Sequence, residues 1–434
     1  MTDYAVSEVE HTLNRMFPPQ WLRDTAKTTG LIKRDRIVDP VLMFWVLTLG
    51  FGVRLQRTLA SLKRNYERTG KIRLSDSSWY ERFTPELVAF LKACVTHGIE
   101  HLAQESNNKL SQKLKQFQDL LIQDSTIIRL HEKLHKKWPA ARCRKIAAGV
   151  KVSLLVSAVS NGPKSVALFG ERVSEVKTLR IGPWVKDRII LLDLGFYKHQ
   201  VFQRIKENGG FFVSRLKANA NPTIVGVNTG SMTQSPDWAG KQIRDVLSVL
   251  PKDSVLDVMI RLDFRRRKYN GSKRKDSDVF RLVAVFNQET GEYHAYVTNI
   301  SHETLDAKDI AALYSARWDI ELINKELKSK YALDVVKTTN PQIIEAYIWI
   351  AILTLLVSRR IYNLIRASAP EKKMVRYTKQ RWSTIFSENA SDQLTVILKS
   401  NNIQKNYETV SLVYTSQALD PHVKRPHLMD PWIS

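Results

Sequence analysis

An α/β fold is predicted for this chain by three observations. Residues 1 to about 115 carry apolar positions at helical spacing, residues from about 117 break into short β-branched runs, and helical periodicity returns from about 300 to about 370. With 434 residues, 43% of them apolar and 25% charged, the chain has room for two or three domains and a sizeable core, and its composition is not that of a disordered protein.

Taken in order, "DPVLMFWVLTLGFG" is an apolar run and "LQRTLASLKRNYERTG" is a basic amphipathic helix stopped by Gly70. "TPELVAFLKACVTHGIEHL" opens on Thr84, Pro85 and Glu86, the residue types that begin a helix. Arg54, Arg57, Lys63, Arg64, Arg68, Lys71 and Arg73 give this region a basic face suited either to solvent or to DNA. "LLIQDSTIIRL", "GVKVSLLVSAVSNG" and "KSVALFG" then read as successive strands. "RIILLDLGFY" ends an apolar strand at Asp193, with Gly195 as the turn residue, "HQVFQRIKENGG" is a short helix closed by two glycines, and "FFVSRLKAN" returns to a strand. Residues 218–299 are more polar and read as a β-rich insertion. Loops are expected at "NPTIVGVNTGSMTQSPDWAG" and at the charged block "RLDFRRRKYNGSKRKDSD", and strands at "VFRLVAVFN" and "EYHAYVTNI". "AYIWIAILTLLVS", bounded by Glu345 and Arg359, is shorter than the roughly 20 residues a membrane span needs and is expected as a buried helix. A mixed tail follows from 371 to 434.

Charge narrows the partners. Against 43 Asp and Glu stand 67 Lys and Arg, a net +24, and such a surplus points first to nucleic acid, where each neutralised phosphate releases counterions, with an anionic membrane as the competing partner. Cys94 and Cys143, the two cysteines, are far apart and suit neither a disulfide framework nor a cysteine zinc site. The N-terminal "MTDYAVSEVEHTLNRMF" lacks the basic start and apolar run of a signal peptide, so a cytoplasmic address is expected.

The stretch "YSARWDIELINKELK" reads as one amphipathic helix, with Leu313, Ala316, Ile320, Ile323 and Leu327 on its apolar arc. At about 100° per residue, Tyr314, Arg317, Glu321 and Lys328 fall within roughly 60° of one another on a neighbouring arc. One face can pack while another presents a tyrosine, two cations and a carboxylate. Asp319 and Glu326 lie off that arc. Two other acids sit uncomfortably in or at the end of strands, Asp124 and Asp193, where an unpartnered carboxylate costs several kcal/mol to desolvate. If the strands are neighbours, Glu321 from a packed helix would complete a three-carboxylate site for a hard divalent cation. Local roles are open too: Asp124 or Asp193 beginning a turn, and Glu321 pairing with Arg317 or Lys325.

The spacing of Tyr314, Arg317, Glu321 and Lys328 resembles the signature of the DDE transposases of insertion-sequence family four. "SSWYERFTPEL", "DSTIIRLHEKL", "TLRIGPWVKDRIILLDLGFYKHQ" and "GGFFVSRLKAN" are similar to its archaeal, notably haloarchaeal, subgroup. The resemblance implies a ribonuclease-H-like catalytic core in two parts, 116–217 and 300–370, interrupted by the β-rich insertion at 218–299, preceded by a helical DNA-binding domain at 1–115 and followed by the tail at 371–434. It implies Asp124, Asp193 and Glu321 as the catalytic, metal-holding triad, two Mg²⁺ or Mn²⁺ ions as cofactors, and Tyr314, Arg317 and Lys328 as the grip on phosphates. Arg215 and Lys217 are further candidates for phosphate contact. The implied partners are double-stranded DNA, both the element's inverted repeats and the target, and a second copy of the chain, in a nucleoid-associated setting. The implied chemistry is hydrolysis at the element's end followed by strand transfer, often through a hairpin. A tryptophan that assists the hairpin in some relatives is missing here, where "EYHAYVTNI" offers Tyr293, His294 and Tyr296.

Two other functions are weighed. A DNA-binding repressor descended from a transposase would share the architecture without turnover. "HEKLH", with His131, Glu132 and His135, matches the two-histidine pattern of zinc proteases, although Pro139 soon follows.

Overall fold

The computed structural model describes residues 2–34, 38–50, 58–106, 108–141, 148–228, 238–265, 275–331, 333, 338–398, 403–423 and 427–433. Six helices open the chain: α1 (Thr2–Met16), α2 (Pro19–Thr28), α3 (Pro40–Gly50), α4 (Leu59–Gly70), α5 (Asp76–Tyr80) and α6 (Pro85–Gln104). The boundaries follow from local chemistry. Thr58 caps α4 by accepting the Ser61 N–H, Lys71 ends it in the left-handed region, and Pro85 with Glu86 starts α6. Of the basic residues expected on this face, Arg54 and Arg57 lie outside the described residues, and Lys63 is held by Asp76 at 2.8 Å and Glu67 at 3.5 Å.

One nine-stranded sheet follows, in the order β3-β2-β1-β4-β5-β9-β8-β7-β6. β1 (Asp119–Leu130), β2 (Ala148–Ser157) and β3 (Gly162–Gly170) form an antiparallel meander. After α7 (Glu175–Thr178), β4 (Arg188–Leu192) runs parallel to β1, and after α8 (His199–Glu207), β5 (Phe211–Arg215) runs parallel to β4. β6 (Thr223–Val227), α9 (Ile243–Val249), β7 (Val255–Arg265), β8 (Lys275–Asn287) and β9 (Glu292–Thr298) extend the same sheet, β9 pairing antiparallel with β5. Strand parity divides the core. Ile189 and Leu191 of β4 join the cluster under the N- and C-terminal helices, whereas Ile190 and Leu192 join the one under α8 and α9, which is why the central strands read as unbroken apolar runs.

The chain closes with α10 (Ala307–Ser315), α11 (Trp318–Lys325), a π-helical turn at Glu326–Lys330, α12 (Pro341–Ala367), α13 (Glu371–Met374), α14 (Lys379–Ile397) and α15 (Ile403–Leu412). The tail is therefore helical rather than mixed. By length and composition α12 is sufficient to cross a bilayer, but 78% of its apolar window is buried in the protein. It is more than twice the length of the apolar run seen in the sequence, because polar residues at both ends continue the helix.

Two expected loops are strands in part. "TIVGV" forms β6, and the charged block supplies the end of β7 and the start of β8. In "IRLDFR" buried Ile260 and Leu262 alternate with exposed Arg261 and Asp263, the period-two pattern of a half-buried strand.

The single helix expected from Tyr314 to Lys328 is three segments. Ala316, Arg317, Asp319 and Ile320 each donate to the carbonyl three residues back, which tightens the chain between α10 and α11, and the π turn then widens it. The apolar arc survives: Leu313, Ala316, Ile320, Ile323 and Leu327 are all buried.

Candidate active site

The parallel ladder between β1 and β4 runs from Asp119 opposite Arg188 to Gln123 opposite Leu192. Asp124 and Asp193 are the next residue on each strand, so the register alone sets the two aspartates side by side at the C-terminal end of β4, the end at which open α/β sheets place their sites. Asp193 leaves the strand and accepts the Gly195 N–H at 3.4 Å, so its local turn role is real. Asp124 stays within β1 and accepts a hydrogen bond at 2.8 Å from Nδ2 of Asn324, a buried residue on α11.

Glu321, one turn before Asn324, comes from the same helix. Arg317 Nη1 lies 3.3 Å from Glu321 Oε1 and 3.7 Å from Asp193 Oδ1, so one guanidinium bridges an acid of the sheet and an acid of the helix. The pairing of Glu321 with Arg317 coexists with its approach to the aspartates. Burial, followed by the charges of Glu321 and Asp193, pushes the Asp124 carboxyl up to about 7, with the Ser125 N–H and Arg317 opposing. The three carboxylates thus share one electrostatic field.

Tyr314 completes this group from α10. Its hydroxyl donates to the Leu192 carbonyl at 3.4 Å, its ring meets Tyr296 of β9 at 5.2 Å, and Arg317 stands 5.9 Å over its face. Burial pushes the phenol up to about 12. Arg215 ends β5 opposite Tyr296 in register and adjoins Tyr314. Lys217 holds its Nζ 5.6 Å over the Tyr197 ring. Lys328 is half-buried on the π turn and, among the described residues, holds no ion pair with the acids.

The acids set aside in the sequence are committed elsewhere. Asp319 pairs with Lys379 at 2.7 Å, and Glu326 pairs with fully buried Arg359 and accepts the Tyr331 hydroxyl at 2.6 Å. "HEKLH" is a three-residue 3-10 turn in which His131 Nδ1 accepts the Lys133 N–H and the His135 ring meets the Glu132 carbonyl, so the two histidines do not sit a turn apart on an α-helix.

Sequence reasoning missed several neighbours. Asn324 is a polar residue on an otherwise apolar arc, a signal that periodicity offered. Trp318 presents an indole 56% exposed between Arg317 and Glu321. Glu175 accepts the Ser125 hydroxyl at 3.3 Å and lies so close to Gly195 that a Cβ there would stand 1.4 Å from its Oε2. A side chain at 195 would have to displace the Glu175 carboxylate, a contact that no local pattern announced.

The donor set suits a hard divalent cation in kind, all three groups being carboxylates whose mutual repulsion favours one. Among the described residues no three acidic, histidine or cysteine side chains are gathered closely enough to hold a metal as they stand, and Arg317 supplies positive charge between Asp193 and Glu321.

Comparison with known proteins gives the family. The transposase for insertion sequence element IS231F of Bacillus thuringiensis subsp. israelensis is 22% identical over 373 residues, covering 78% of this chain and 76% of that protein. The transposase for IS1151 of Clostridium perfringens is 24% identical over 331 residues, covering 70% and 69%. A piggyBac transposase synaptic complex with hairpin DNA aligns over 93% of this chain and 83% of that one, at 10% identity and a TM-score of 0.43. The family model of the transposase DDE domain matches residues 115–357, more than half of the chain and the whole span from β1 to the middle of α12. The chain belongs to the transposase DDE domain family.

Proposed function

We propose that this chain is an insertion-sequence transposase that binds the element's terminal inverted repeats and carries out metal-dependent strand cleavage and strand transfer on double-stranded DNA. The observation that carries the reading is the β1–β4 register, which juxtaposes Asp124 and Asp193 beneath the helix bearing Glu321. The order β3-β2-β1-β4-β5, with β2 antiparallel, supports a ribonuclease-H-like core. On this reading 1–115 is the helical DNA-binding part, 116–217 and 300–370 the core, 218–299 its insertion and 371–434 the tail. The narrower placement in insertion-sequence family four rests on the spacing of Tyr314, Arg317, Glu321 and Lys328.

Asp124, Asp193 and Glu321 would hold Mg²⁺ or Mn²⁺, a pair of ions by the family's pattern, which supply activation of the attacking oxygen and stabilisation of the leaving one. Arg317 then lies where it can pass from carboxylate to phosphate, and its planar fork suits both. Tyr314, sealed against β4 and Tyr296, braces that arginine from behind. Lys328 and Arg215 add positive charge along the backbone path, and Lys217 joins only by leaving the Tyr197 ring. Two ends require two copies, so a homodimer is expected in the synaptic state, in the cytoplasm at the nucleoid.

The test is cleavage of a plasmid carrying the inverted repeats that flank the gene. Cuts at the repeat termini should require Mg²⁺. Asp124→Ala, Asp193→Ala and Glu321→Gln should bind the ends and leave them uncut. Full cleavage by any one of them sinks the site assignment, and binding by the wild type without any cut favours the repressor.

A further inference from the structure

Two hollows flank the segment from Val176 to Trp184, with volumes of about 860 and 730 Å³, and Leu179 and Arg180 line both. Lys92 and Lys164 stand with Arg180 in the first, and Lys177, Lys198 and Arg204 with Arg180 in the second. All but Lys164 are exposed, and none of the six is in an ion pair among the described residues. Each hollow has one lining acid: Glu345, which pairs with Lys137, and Glu207, which accepts from the neutral Gln203 amide at 3.2 Å and keeps its charge. Six cations against two lining acids leave this surface strongly positive, and a positive patch of this kind favours a partner with regularly repeated negative charge.

Position says which polyanion. Gln123 lines the first hollow and donates to the Asp124 carbonyl at 3.1 Å, while Val176 of the second follows Glu175, which abuts the Gly195 turn after Asp193. Gln123 points to the opposite face of β1 from Asp124, because successive strand residues alternate. Neither hollow is lined by Asp124, Asp193, Tyr314, Arg317 or Glu321, so the surface adjoins that group without being part of it.

We infer that these hollows seat the phosphate backbone of a second DNA duplex, distinct from the one gripped by Tyr314 and Arg317. This rests on the transposase reading, whose strand transfer demands a second DNA, and adds where that DNA runs. Arg180, common to both hollows, takes the central phosphates.

The experiment measures affinity of the full-length chain for a duplex of arbitrary sequence, by fluorescence anisotropy in metal-free buffer between about 50 and 200 mM salt. For Lys177→Ala/Arg180→Ala/Arg204→Ala we expect at least tenfold weaker binding and a slope of log affinity against log salt shallower by roughly 2 to 3. The charge-conserving Lys177→Arg/Arg180→Lys/Arg204→Lys should bind as wild type does, and Lys252→Ala/Lys372→Ala/Lys373→Ala, which removes the same charge elsewhere, should stay near it. An alanine variant indistinguishable from wild type or from that control overturns the surface, as does a charge-conserving variant that loses binding equally. A wild-type chain that binds no duplex overturns the transposase reading and this inference with it, whereas binding unaffected by the alanines overturns only the inference.

Discussion

Asp124 is the residue on which the proposed chemistry and the stability of this fold meet. Its carboxyl titrates from an ordinary 3.8 in the unfolded chain to about 7 in the folded one, chiefly because β1 and α11 remove it from water. The folded state therefore binds the extra proton, so the contribution of Asp124 to stability is full below pH 3.8 and is lost as pH rises through about 7. A tenfold change in proton affinity is worth about 1.4 kcal/mol, so the loss amounts to a few kcal/mol. Asp124→Asn should abolish this fall and unfold at higher urea than wild type at pH 8 in metal-free buffer. Equal pH dependence in both would show that Asp124 is not the group. Asn324 acts through Asp124. Its Nδ2 fixes Asp124 Oδ2, and its own Oδ1 is buried with no partner among the described residues, at a cost of about 1–3 kcal/mol. Asn324→Ala should slow end cleavage roughly 10- to 100-fold, the usual penalty for losing a partner that orients a metal ligand, while end binding holds. A parallel loss of binding would make it a residue of the fold alone.

At the scale of elements, the π turn after α11 is held by a buried ion pair. Glu326 opens the turn, receives the Tyr331 hydroxyl and pairs with Arg359 of α12, all three almost wholly buried. Removing one partner leaves an isolated charge, so Arg359→Ala should cost about 3–5 kcal/mol in urea unfolding, and Arg359→Met with Glu326→Gln should recover most of it. A double variant as unstable as the single would show that packing, rather than charge, holds the turn. None of this was legible in "RWDIELINKELK", where every residue is compatible with a continuous α-helix. The interruption is made by tertiary partners, Lys379 on Asp319 and Arg359 on Glu326, that lie 60 and 33 residues further on. The central strands were legible because burial on both faces writes unbroken runs of Val, Ile and Leu. β6 was not, because Gly226 and the surrounding polar residues suit a loop, nor were the outer ends of β7 and β8, whose exposed faces carry Arg, Lys and Asp. Asp124 and Asp193 were legible as misplaced acids, and Glu321 through its spacing with Tyr314, Arg317 and Lys328. The register that unites them, and the approach of Glu175 to Gly195, needed the folded chain.

Across the whole molecule the question is how strands β6–β9 are fixed relative to the carboxylates. β9 grips β5 over only three residue pairs, Val213 to Arg215 against Tyr296 to Thr298. A buried link beside it is Arg281 of β8. Its Nε and Nη2 hold Asp257 of β7 at 2.6–3.2 Å, and its Nη1 donates to the carbonyls of Ile300 at 3.2 Å, Ser301 at 3.1 Å and Leu305 at 2.7 Å. Those three carbonyls belong to the connection into α10, the helix that carries Tyr314 to the end of β4. One buried guanidinium thus joins the outer strands to the segment that positions the site. Arg281→Met should destabilise by about 3–5 kcal/mol, because Asp257 is left charged and dry. Adding Asp257→Leu removes that stranded charge and should restore most of the stability, yet the carbonyls of the connection stay unclamped. The double variant should therefore regain its urea midpoint and still cleave DNA ends more slowly than wild type. If cleavage recovers together with stability, Arg281 is a buried ion pair and nothing more, and the orientation of α10 must come from the packing of Tyr296 against Tyr314.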